Sequence, residues 1–327
     1  MPQPRRSEVR VRTPATSANL GPGFDALGLA LALHDEVTVR LRDDDRVTVR
    51  VEGEGAGEVP TDASHLVVRA LHTAFEAAGE SPPGLDLHCR NHIPHGRGLG
   101  SSASAIVAGV TAAEALLGAA PADGFDRDRV FRLAADIEGH PDNVAPCVYG
   151  GFTVAWRDAE AWRALSMAPS ARLLPVACVP DQRLSTERAR GLLPAAVPHA
   201  DAAFTAGRAA LLVAAVTARP ELLLTATEDR LHQPYRGAAM PASIGLVRDL
   251  RERDGVAAVI SGAGPTVLAL GYAPEPGSPG PEAAASPDLP QISGELADSI
   301  GNRTGTGWHI RPLRIDPAGV CISSPRS

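Results

Sequence analysis

Along the first half of the chain, the pattern of apolar and polar positions predicts short strands mixed with helices. Apolar residues alternate with polar ones over residues 9–13, 37–41 and 47–51, which is the period of a half-buried strand. The acidic turn 43–45 would join the last two strands as a hairpin. Further along, the spacing predicts helices over 66–78, 101–117 and 128–138, and strands over 85–89 and 150–156. Hairpins mixed with helices indicate an α+β fold and not a doubly wound one.

The second half begins near Glu160 and shows the same mixture with more alanine in its helices. The pattern predicts strands over 173–179, 256–260, 267–270 and 308–315, and helices over 200–218, 220–228 and 244–253. Residues 273–290 are proline-rich and of low complexity, which favours a mobile surface insertion without catalytic function. The predicted domains are therefore residues 1–160 and 161–327.

Composition narrows the classes of function. The chain has 327 residues, 44% of them hydrophobic, which suits a globular protein large enough for two domains. A net charge of −7 and an aromatic content of 4% argue against nucleic-acid binding. The four cysteines form no C-x-x-C pair, so neither a zinc site nor a disulfide framework is indicated. We expect no bilayer-spanning segment and no signal peptide, and hence a cytoplasmic protein.

The run Ile93-Pro-His-Gly-Arg-Gly-Leu-Gly-Ser-Ser-Ala-Ser104 leads directly into the helix predicted over 101–117, and it predicts a phosphate site. Its three glycines let the backbone approach a ligand, and the helix would offer unpaired N–H groups and a positive dipole end. Its serines could cap the helix, contact phosphate or ligate a cation. The alternative is a tight strand-to-helix turn that binds nothing. The predicted phosphate-binding residues are Pro94, His95, Gly96, Arg97, Gly98, Leu99, Gly100, Ser101, Ser102, Ala103 and Ser104.

The loop belongs to neither of the two commonest phosphate-binding motifs. All 31 basic residues are arginine, because the chain contains no lysine, and this excludes a P-loop lysine and a Schiff-base lysine. The spacing of Gly96, Gly98 and Gly100 also differs from G-x-G-x-x-G, and no acidic residue ends a strand about 20 residues on.

Together with two further segments, this loop resembles the three motifs of the GHMP kinase family. The first segment, Val11–Gly28, contains Asn19-Leu-Gly-Pro-Gly-Phe-Asp25, and the last is Val259–Leu270. The runs Glu138-Gly-His-Pro-Asp-Asn-Val-Ala-Pro146 and Leu231-His-Gln-Pro-Tyr-Arg236 are similar to the branch of the family that acts on L-homoserine. The resemblance extends from about residue 9 to about residue 318, and it is dense only at the motifs.

This resemblance implies a fold and an activity. It implies a two-domain GHMP kinase fold, with an N-terminal domain like domain 2 of ribosomal protein S5 and a ferredoxin-like C-terminal domain, and it is compatible with a homodimer. It further implies ATP-dependent phosphorylation of the side-chain hydroxyl of L-homoserine in threonine biosynthesis, with neither nucleic acid nor membrane as a partner.

The resemblance also assigns roles to individual residues. It points to Ser102 and Glu138 as ligands of Mg²⁺, which prefers hard oxygen donors. Arg190 and Arg236 would hold the substrate carboxylate, because a guanidinium pairs with it bidentately. Asn19, Asp25 and His140 would hold the ammonium and hydroxyl end, with Thr186 and Arg230 as further candidates. Asn19, Asp25 and Glu138 are the predicted catalytic residues.

Several alternatives stay open at the level of sequence. Asp25 could act as a general base, or the hydroxyl could pass its proton to the γ-phosphate directly or through water. The substrate could be a mevalonate-type alcohol or a sugar, or the chain could be a non-catalytic binding protein of the same fold. Asn19 and Asp25 could be ordinary turn residues, His140 a packing histidine, and Arg97, Arg190 and Arg236 surface arginines.

Overall fold

The structure, a computed structural model, describes residues 7–118, 125–158, 160–275 and 289–323. The strands are β1 Glu8–Ala18, β2 Leu27–Leu41, β3 Val47–Gly53, β4 Leu85–Asn91, β5 Phe152–Arg157, β6 Trp162–Met167, β7 Leu173–Pro180, β8 Ala257–Ile260, β9 Val267–Tyr272, β10 Trp308–Pro312 and β11 Cys321–Ser323. The helices are α1 Leu66–Ala77, α2 Ser101–Leu117, α3 Arg127–Glu138, α4 Val144–Tyr149, α5 Thr186–Arg190, α6 His199–Thr217, α7 Leu223–Ala226, α8 Gln233–Arg236, α9 Pro241–Asp254 and α10 Leu289–Thr304. The α+β prediction is confirmed.

The larger sheet has seven strands and brings two predicted motifs to one edge. Its order is β11-β1-β2-β4-β3, and β5 joins β2 and carries β6. Both β1 and β4 run antiparallel to β2, so their carboxyl ends point the same way. The turn that follows β1 and the glycine-rich loop that follows β4 therefore lie close together, and the Thr16 N–H donates to the Leu99 carbonyl at 3.0 Å.

The smaller sheet has four strands in the order β10-β7-β9-β8. Numbered along the chain, these are strands 4-1-3-2, with helices between the first and second strands and between the third and fourth. Neighbouring strands are antiparallel. This is the ferredoxin-like β-α-β-β-α-β arrangement that the resemblance implies.

The predicted hairpin around residues 43–45 is wrong. Strand β4 lies between β2 and β3, and β3 runs parallel to β4. The predicted buried faces are correct, because both sets pack against one core: Val37, Val39, Val47, Val49 and Val51. Alternation along a strand reports which face is buried, but it carries no information about a neighbour that lies many residues away.

Other boundaries differ from the predictions. Instead of one helix over 220–228, a 3-10 turn at Pro220–Leu222 precedes the short α7. Strand β10 ends at Pro312, and Ile315 forms an isolated bridge to Leu31 of the larger sheet. Most of the proline-rich stretch 273–290 lies outside the described residues. The domain limit at residue 160 stays a prediction, although β6 pairs with β5 beyond it.

Helix α6 does not fit the expectation that no segment could span a bilayer. It has 19 residues with a mean hydropathy of 1.3, enough by length and composition. In the structure Leu212, Ala215 and Val216 pack into a core shared by the two sheets. One such helix is weak evidence for a membrane span, since core helices of soluble proteins have the same composition.

Helix α2 is buried along nearly its whole length in the N-terminal core. Its small residues allow α1 to approach closely, and a Cβ at Gly109 would lie 2.4 Å from the Val67 carbonyl oxygen. The helix ends at Gly118, which adopts the left-handed conformation common after a helix. This packing holds the start of α2 in a fixed position at the end of the glycine-rich loop.

Candidate active site

A cavity of about 170 Å³ opens where β1, β4 and the β8–β9 turn meet. Residues from all the predicted motifs line it. Those that the sequence predicts are Asn19, Gly96, Gly98, Gly100, Ser101, Ser102, Glu138, His140, Thr186, Arg190 and Arg236. A cavity of about 880 Å³ lies elsewhere, around Met167, Leu174 and Leu313, and has none of them in its wall. The smaller cavity is the candidate site, because the chemistry is concentrated there.

The glycine-rich loop has the backbone that its sequence predicts. Gly96, Gly98 and Gly100 have φ values of 64°, 78° and 71°, in the left-handed region that favours glycine. Helix α2 starts directly afterwards, and no side chain caps its first turn. Of the three roles open to the serines, capping the helix is therefore excluded, while contact with phosphate and ligation of a cation stay open. The free N–H groups and the helix dipole remain available to an anion at this point.

Several predicted loop residues point away from the cavity. The side chains of Leu99, Ala103 and Ser104 are buried in the protein interior. The Arg97 guanidinium donates to the carbonyls of Pro180 and Asp181, at 2.9 and 3.2 Å, and so joins the loop to the end of β7. We therefore interpret Arg97 as a contact between the two halves of the molecule.

The turn after β1 is conformationally strained. Three residues that are not glycine, Asn19, Leu20 and Asp25, have φ values of 68°, 49° and 56°. The Asn19 amide supports this turn, because its oxygen accepts from the Asp25 N–H at 3.0 Å and its nitrogen donates to the Gly262 carbonyl at 3.0 Å. Such strain concentrates at functional sites, where the surrounding structure holds it in place.

Asp25 and Arg190 are paired with each other. The guanidinium donates to both carboxylate oxygens, at 2.6 and 3.2 Å. Burial acts to lower the pKa of Arg190, but the Asp25 carboxylate outweighs it and the pKa lies above its usual range. Phe24 lies against this pair, with the Arg190 and Arg236 guanidinium carbons 5.7 and 5.5 Å from its ring centroid.

Arg236 is buried, at 1% exposure, so the alternative of a surface arginine is wrong at this position. Pro234 is tolerated because it occupies the first turn of the short helix α8, where its missing N–H has no intrahelical acceptor. One Arg236 nitrogen donates to the Gly262 carbonyl at 3.0 Å and faces His232 Nδ1 at 3.2 Å. Its Nε has no partner among the described residues.

The charge of Arg236 is thus not matched by a carboxylate in direct contact within the described chain. Burial, together with the nearby Arg190, lowers the pKa of Arg236. A buried guanidinium in a cavity wall, with an unused donor, is a site for an anionic ligand.

Ser102 and Glu138 meet across the cavity. The Ser102 hydroxyl donates to Glu138 Oε1 at 2.6 Å, although 36 residues separate them. Burial raises the pKa of Glu138, and the Ser102 hydroxyl opposes this shift. Glu138 ends α3, and Gly139 follows in the left-handed conformation, so the carboxylate is held at a helix terminus. In the described residues no group of three or more His, Cys, Asp or Glu side chains could hold a metal alone.

His140 lies between two carboxylates. Its Nδ1 is 2.9 Å from Asp142 Oδ1, and its Nε2 is 4.0 Å from Glu138 Oε1. Burial lowers the pKa of His140, but Asp142 and Glu138 together raise it above its usual value. Asp142 and Asn143 also line the cavity and were not predicted to do so, although both lie within the motif at residues 138–146.

The two further candidates for substrate binding, Thr186 and Arg230, lie in different places. Thr186 lines the cavity at the start of α5. Arg230 does not, because it stacks on Phe204 at 3.8 Å from the ring centroid and pairs with Asp201.

Next to the candidate site, which is the first cavity, lies a second cavity of about 280 Å³. This second cavity adjoins the phosphate loop and was not predicted. It shares Ser101 and Ser102 with the first cavity. Its other walls include Val37, Val59 and Leu66, with polar groups from His65 and Asn91. The predicted loop residue His95 contributes here too, and its ring packs where a Cβ on Gly55 would lie. Apolar walls with a few polar groups suit an organic ligand next to the phosphate site.

Comparisons with known proteins agree with this geometry. The family model of the GHMP kinase N-terminal domain matches residues 65–151, and that of the C-terminal domain matches residues 210–285. A homoserine kinase from Streptomyces avermitilis is 52% identical over 97% of this chain and 96% of its own length. A homoserine kinase from Streptomyces coelicolor is also 52% identical, over 97% of this chain and 95% of its own.

A solved structure extends the agreement to the whole fold. The crystal structure of a homoserine kinase from Cytophaga hutchinsonii superposes with a TM-score of 0.81 at 27% identity, covering 98% of this chain and 99% of that one. The two-domain fold expected from the motifs is therefore confirmed. The chain belongs to the GHMP kinases and, within them, to the homoserine kinase family.

Proposed function

We propose that the chain transfers the γ-phosphoryl group of ATP to the side-chain hydroxyl of L-homoserine, forming O-phospho-L-homoserine. The observation that carries this proposal is the composition of the first cavity. It joins an uncapped helix start and a glycine-rich loop to a buried arginine without a carboxylate partner in direct contact. The first two features suit a triphosphate and the last suits the carboxylate of an amino acid.

The nucleotide would span both cavities. The triphosphate would lie over Gly98–Ser102, where backbone N–H groups and the α2 dipole replace the missing lysine. The nucleoside would occupy the second cavity, since Ser101 and Ser102 border both spaces. Phosphoryl transfer depends mainly on positioning and charge neutralisation, and this arrangement supplies both without a covalent intermediate.

We propose Ser102 and Glu138 as the protein ligands of Mg²⁺. A hydroxyl and a carboxylate are hard oxygen donors, and their 2.6 Å hydrogen bond supports the proposal because one ion could reach both oxygens. Two protein ligands suit Mg²⁺ bound with a nucleotide, because phosphate oxygens and water complete its coordination. When bound, the ion would neutralise charge on the transferred phosphoryl group.

The amino-acid end of the substrate would exchange partners with an ion pair. The substrate ammonium would take the place of Arg190 at the Asp25 carboxylate. The carboxylate of the substrate would contact Arg190 and Arg236. In the complex Asp25 and Arg190 would each have an opposite charge beside them, and Arg236 would gain one, so the binding of a zwitterion leaves no buried charge unpaired.

The route of the hydroxyl proton follows from the same pairing. Both Asp25 carboxylate oxygens are bonded to Arg190, and in the complex they would be bonded to the ammonium, so they are occupied and do not face the hydroxyl proton. We propose that the proton passes to the γ-phosphate directly or through water, with Asn19 and His140 orienting the hydroxyl. The cytoplasmic location and the homodimer stay predictions.

The substrate assignment predicts selective stimulation of ATP turnover. ADP release should rise strongly with L-homoserine and hardly at all with mevalonate or galactose, because only the amino acid carries both charges that the site matches. A coupled ADP-release assay with the three alcohols at equal concentration measures this. Stimulation by mevalonate with none by L-homoserine would overturn the assignment.

Replacing Glu138 with glutamine should lower kcat by about 100-fold and raise the magnesium concentration needed for half-maximal rate. The Gln amide oxygen still accepts from Ser102, so the substitution removes the charge and keeps the shape. Magnesium titrations of the initial rate measure the effect.

The matched control for this experiment is Glu114→Gln. Glu114 is a buried carboxylate of α2 paired with Arg129 at 2.9 Å, and it lines neither cavity. The Glu114→Gln substitution should leave the dependence of the rate on magnesium unchanged. Normal turnover of the Glu138 variant at limiting magnesium would show that Glu138 is not a ligand.

A further inference from the structure

Asp35, which none of the sequence motifs contains, is a buried carboxylate at the base of the phosphate loop. It lies near the middle of β2 and is 5% exposed. Its Oδ1 accepts from the N–H groups of His92 and Ile93, at 2.6 and 2.9 Å. Its Oδ2 lies 3.4 Å from the Ser104 hydroxyl, in the first turns of α2. One side chain therefore contacts the entry of the loop and the helix that follows it.

The position of Asp35 in the sheet explains these contacts. The β2–β4 ladder ends at the Glu36–Arg90 pair, and β4 itself ends one residue later, at Asn91. The N–H groups of His92 and Ile93, just beyond the end of β4, have no strand partner on β2. The Asp35 carboxylate replaces the missing backbone acceptors at the point where the loop begins.

Burial of the Asp35 carboxylate costs free energy, and this cost is high for a residue whose role is merely structural. The hydrogen bonds recorded for the Asp35 carboxylate in the described residues come from neutral donors only. Burial raises its pKa, and the two N–H groups oppose that shift. A buried carboxylate without a bonded cation normally destabilises a fold, so its benefit has to lie in what it holds in place.

Ser104 connects this contact to β1. Its hydroxyl lies 2.8 Å from the Thr13 hydroxyl, and the backbone N–H of Ser104 donates to Gly100. Asp35 is thus linked to both ends of the turn Ile93–Ser104, which carries the proposed phosphate ligands.

We propose that Asp35 is a positioning residue that fixes the phosphate loop relative to the start of α2 and thereby sets the affinity for the triphosphate. This inference rests on the proposed function of the same site. Asp35 acts through the backbone of His92 and Ile93, although it also lines the second cavity. The expected effect therefore falls on nucleotide affinity and spares the amino acid.

The test combines three Asp35 variants with direct binding measurements. Asp35→Ala should raise the Kd of a non-hydrolysable ATP analogue and the KM for ATP by about 10- to 100-fold, with the KM for L-homoserine within about threefold of wild type. Asp35→Asn should restore most of the affinity, because one amide oxygen can accept from both N–H groups. If the alanine variant does not fold, Asp35→Glu takes its place, since an extra methylene shifts the carboxylate and should also weaken nucleotide binding.

Asp316 provides a matched control. It is 4% exposed, and its Oδ1 also accepts from two successive N–H groups, those of Ala318 and Gly319, at 2.8 Å each. Its Oδ2 lies 2.6 Å from His34 Nε2 on β2, and none of its hydrogen bonds in the described residues involves the turn Ile93–Ser104. Asp316→Ala should lower the Tm, because two buried N–H groups lose their acceptor as they do in Asp35→Ala, and it should leave the nucleotide affinity unchanged.

Inorganic tripolyphosphate separates positioning from direct contact with the nucleoside. If Asp35 positions the loop, Asp35→Ala weakens the binding of tripolyphosphate and of the ATP analogue alike in calorimetry. Loss for the ATP analogue with unchanged tripolyphosphate affinity would overturn the inference, and so would wild-type affinity for both in a folded alanine variant. If the wild-type protein bound no nucleotide at all, the proposed function itself would be wrong.

Discussion

Replacing Arg236 with leucine is expected to raise the KM for L-homoserine by about 30-fold to several thousand-fold, equivalent to about 2–5 kcal/mol. The KM for ATP should change little. The guanidinium lines the first cavity, is 1% exposed and has an unused donor, so the substrate carboxylate would be its counter-ion. Steady-state kinetics with each substrate varied in turn measure both constants.

The fold should tolerate this change. An arginine buried without a carboxylate partner in contact destabilises the free protein, so leucine at this position is expected to preserve or raise the Tm. Arg236→Lys should rescue the KM only in part, because an ammonium cannot form the planar two-point contact. These two results together separate ligand recognition from structural support.

Arg251 offers the control for the loss of an arginine as such. It is half-buried and donates to the Thr227 hydroxyl and the Leu224 carbonyl, but it does not line the cavity. Arg251→Leu should lower the Tm and leave both KM values unchanged. Wild-type KM values in the Arg236 variant would exclude it as the carboxylate ligand and leave Arg190 as the candidate.

Replacing Gly98 with valine is expected to raise the Kd for ATP by at least about 100-fold. The sequence predicts a clash with the turn and with phosphate, but the structure shows a more immediate obstacle. A Cβ at Gly98 would lie 2.3 Å from the Ser261 carbonyl oxygen and 2.9 Å from that of Gly264. The side chain would therefore push the loop away from the β8–β9 turn, whose Ser261 hydroxyl donates to the Gly98 carbonyl at 2.6 Å.

Gly118→Val tests whether backbone strain alone has this effect. Gly118 has a φ of +73°, close to the +78° of Gly98, but a Cβ there would meet nothing within 4 Å among the residues that the structure describes. Both variants should lose stability, and only the Gly98 variant should lose nucleotide affinity in calorimetric titration. Unchanged ATP affinity in a folded Gly98→Val protein would mean that the loop is a structural turn only.

Local signals in the sequence were sufficient for much of the site. The left-handed conformations at Gly96, Gly98 and Gly100 follow from the residue type, and the start of α2 follows from the apolar pattern after them. The pairing of Ser102 with Glu138 was expected from motif resemblance, and the structure brings the two within 2.6 Å.

Other features depend on contacts between distant segments, which no local pattern encodes. Arg97 and Arg236 are both arginines beside a proline or glycine, yet one joins the loop to β7 and the other is buried in the cavity wall. Which of them meets a ligand is decided by where α8 and β7 pack. The position of β4 between β2 and β3 likewise could not be predicted, because several strands share the same alternation of apolar and polar residues and any of them could have paired there.

The sequence by itself determined many of the helices and strands, their buried faces and the family, because these follow from residue type, periodicity and motif. Only the tertiary structure decided that Asp25 pairs with Arg190, that no carboxylate of the described residues contacts Arg236, and that Asp35 accepts from the N–H groups at the entry of the phosphate loop. Each of these is a contact between groups that are far apart along the chain. Charge pairing and burial are properties of the folded arrangement, so they emerge only when the two sheets and their loops meet.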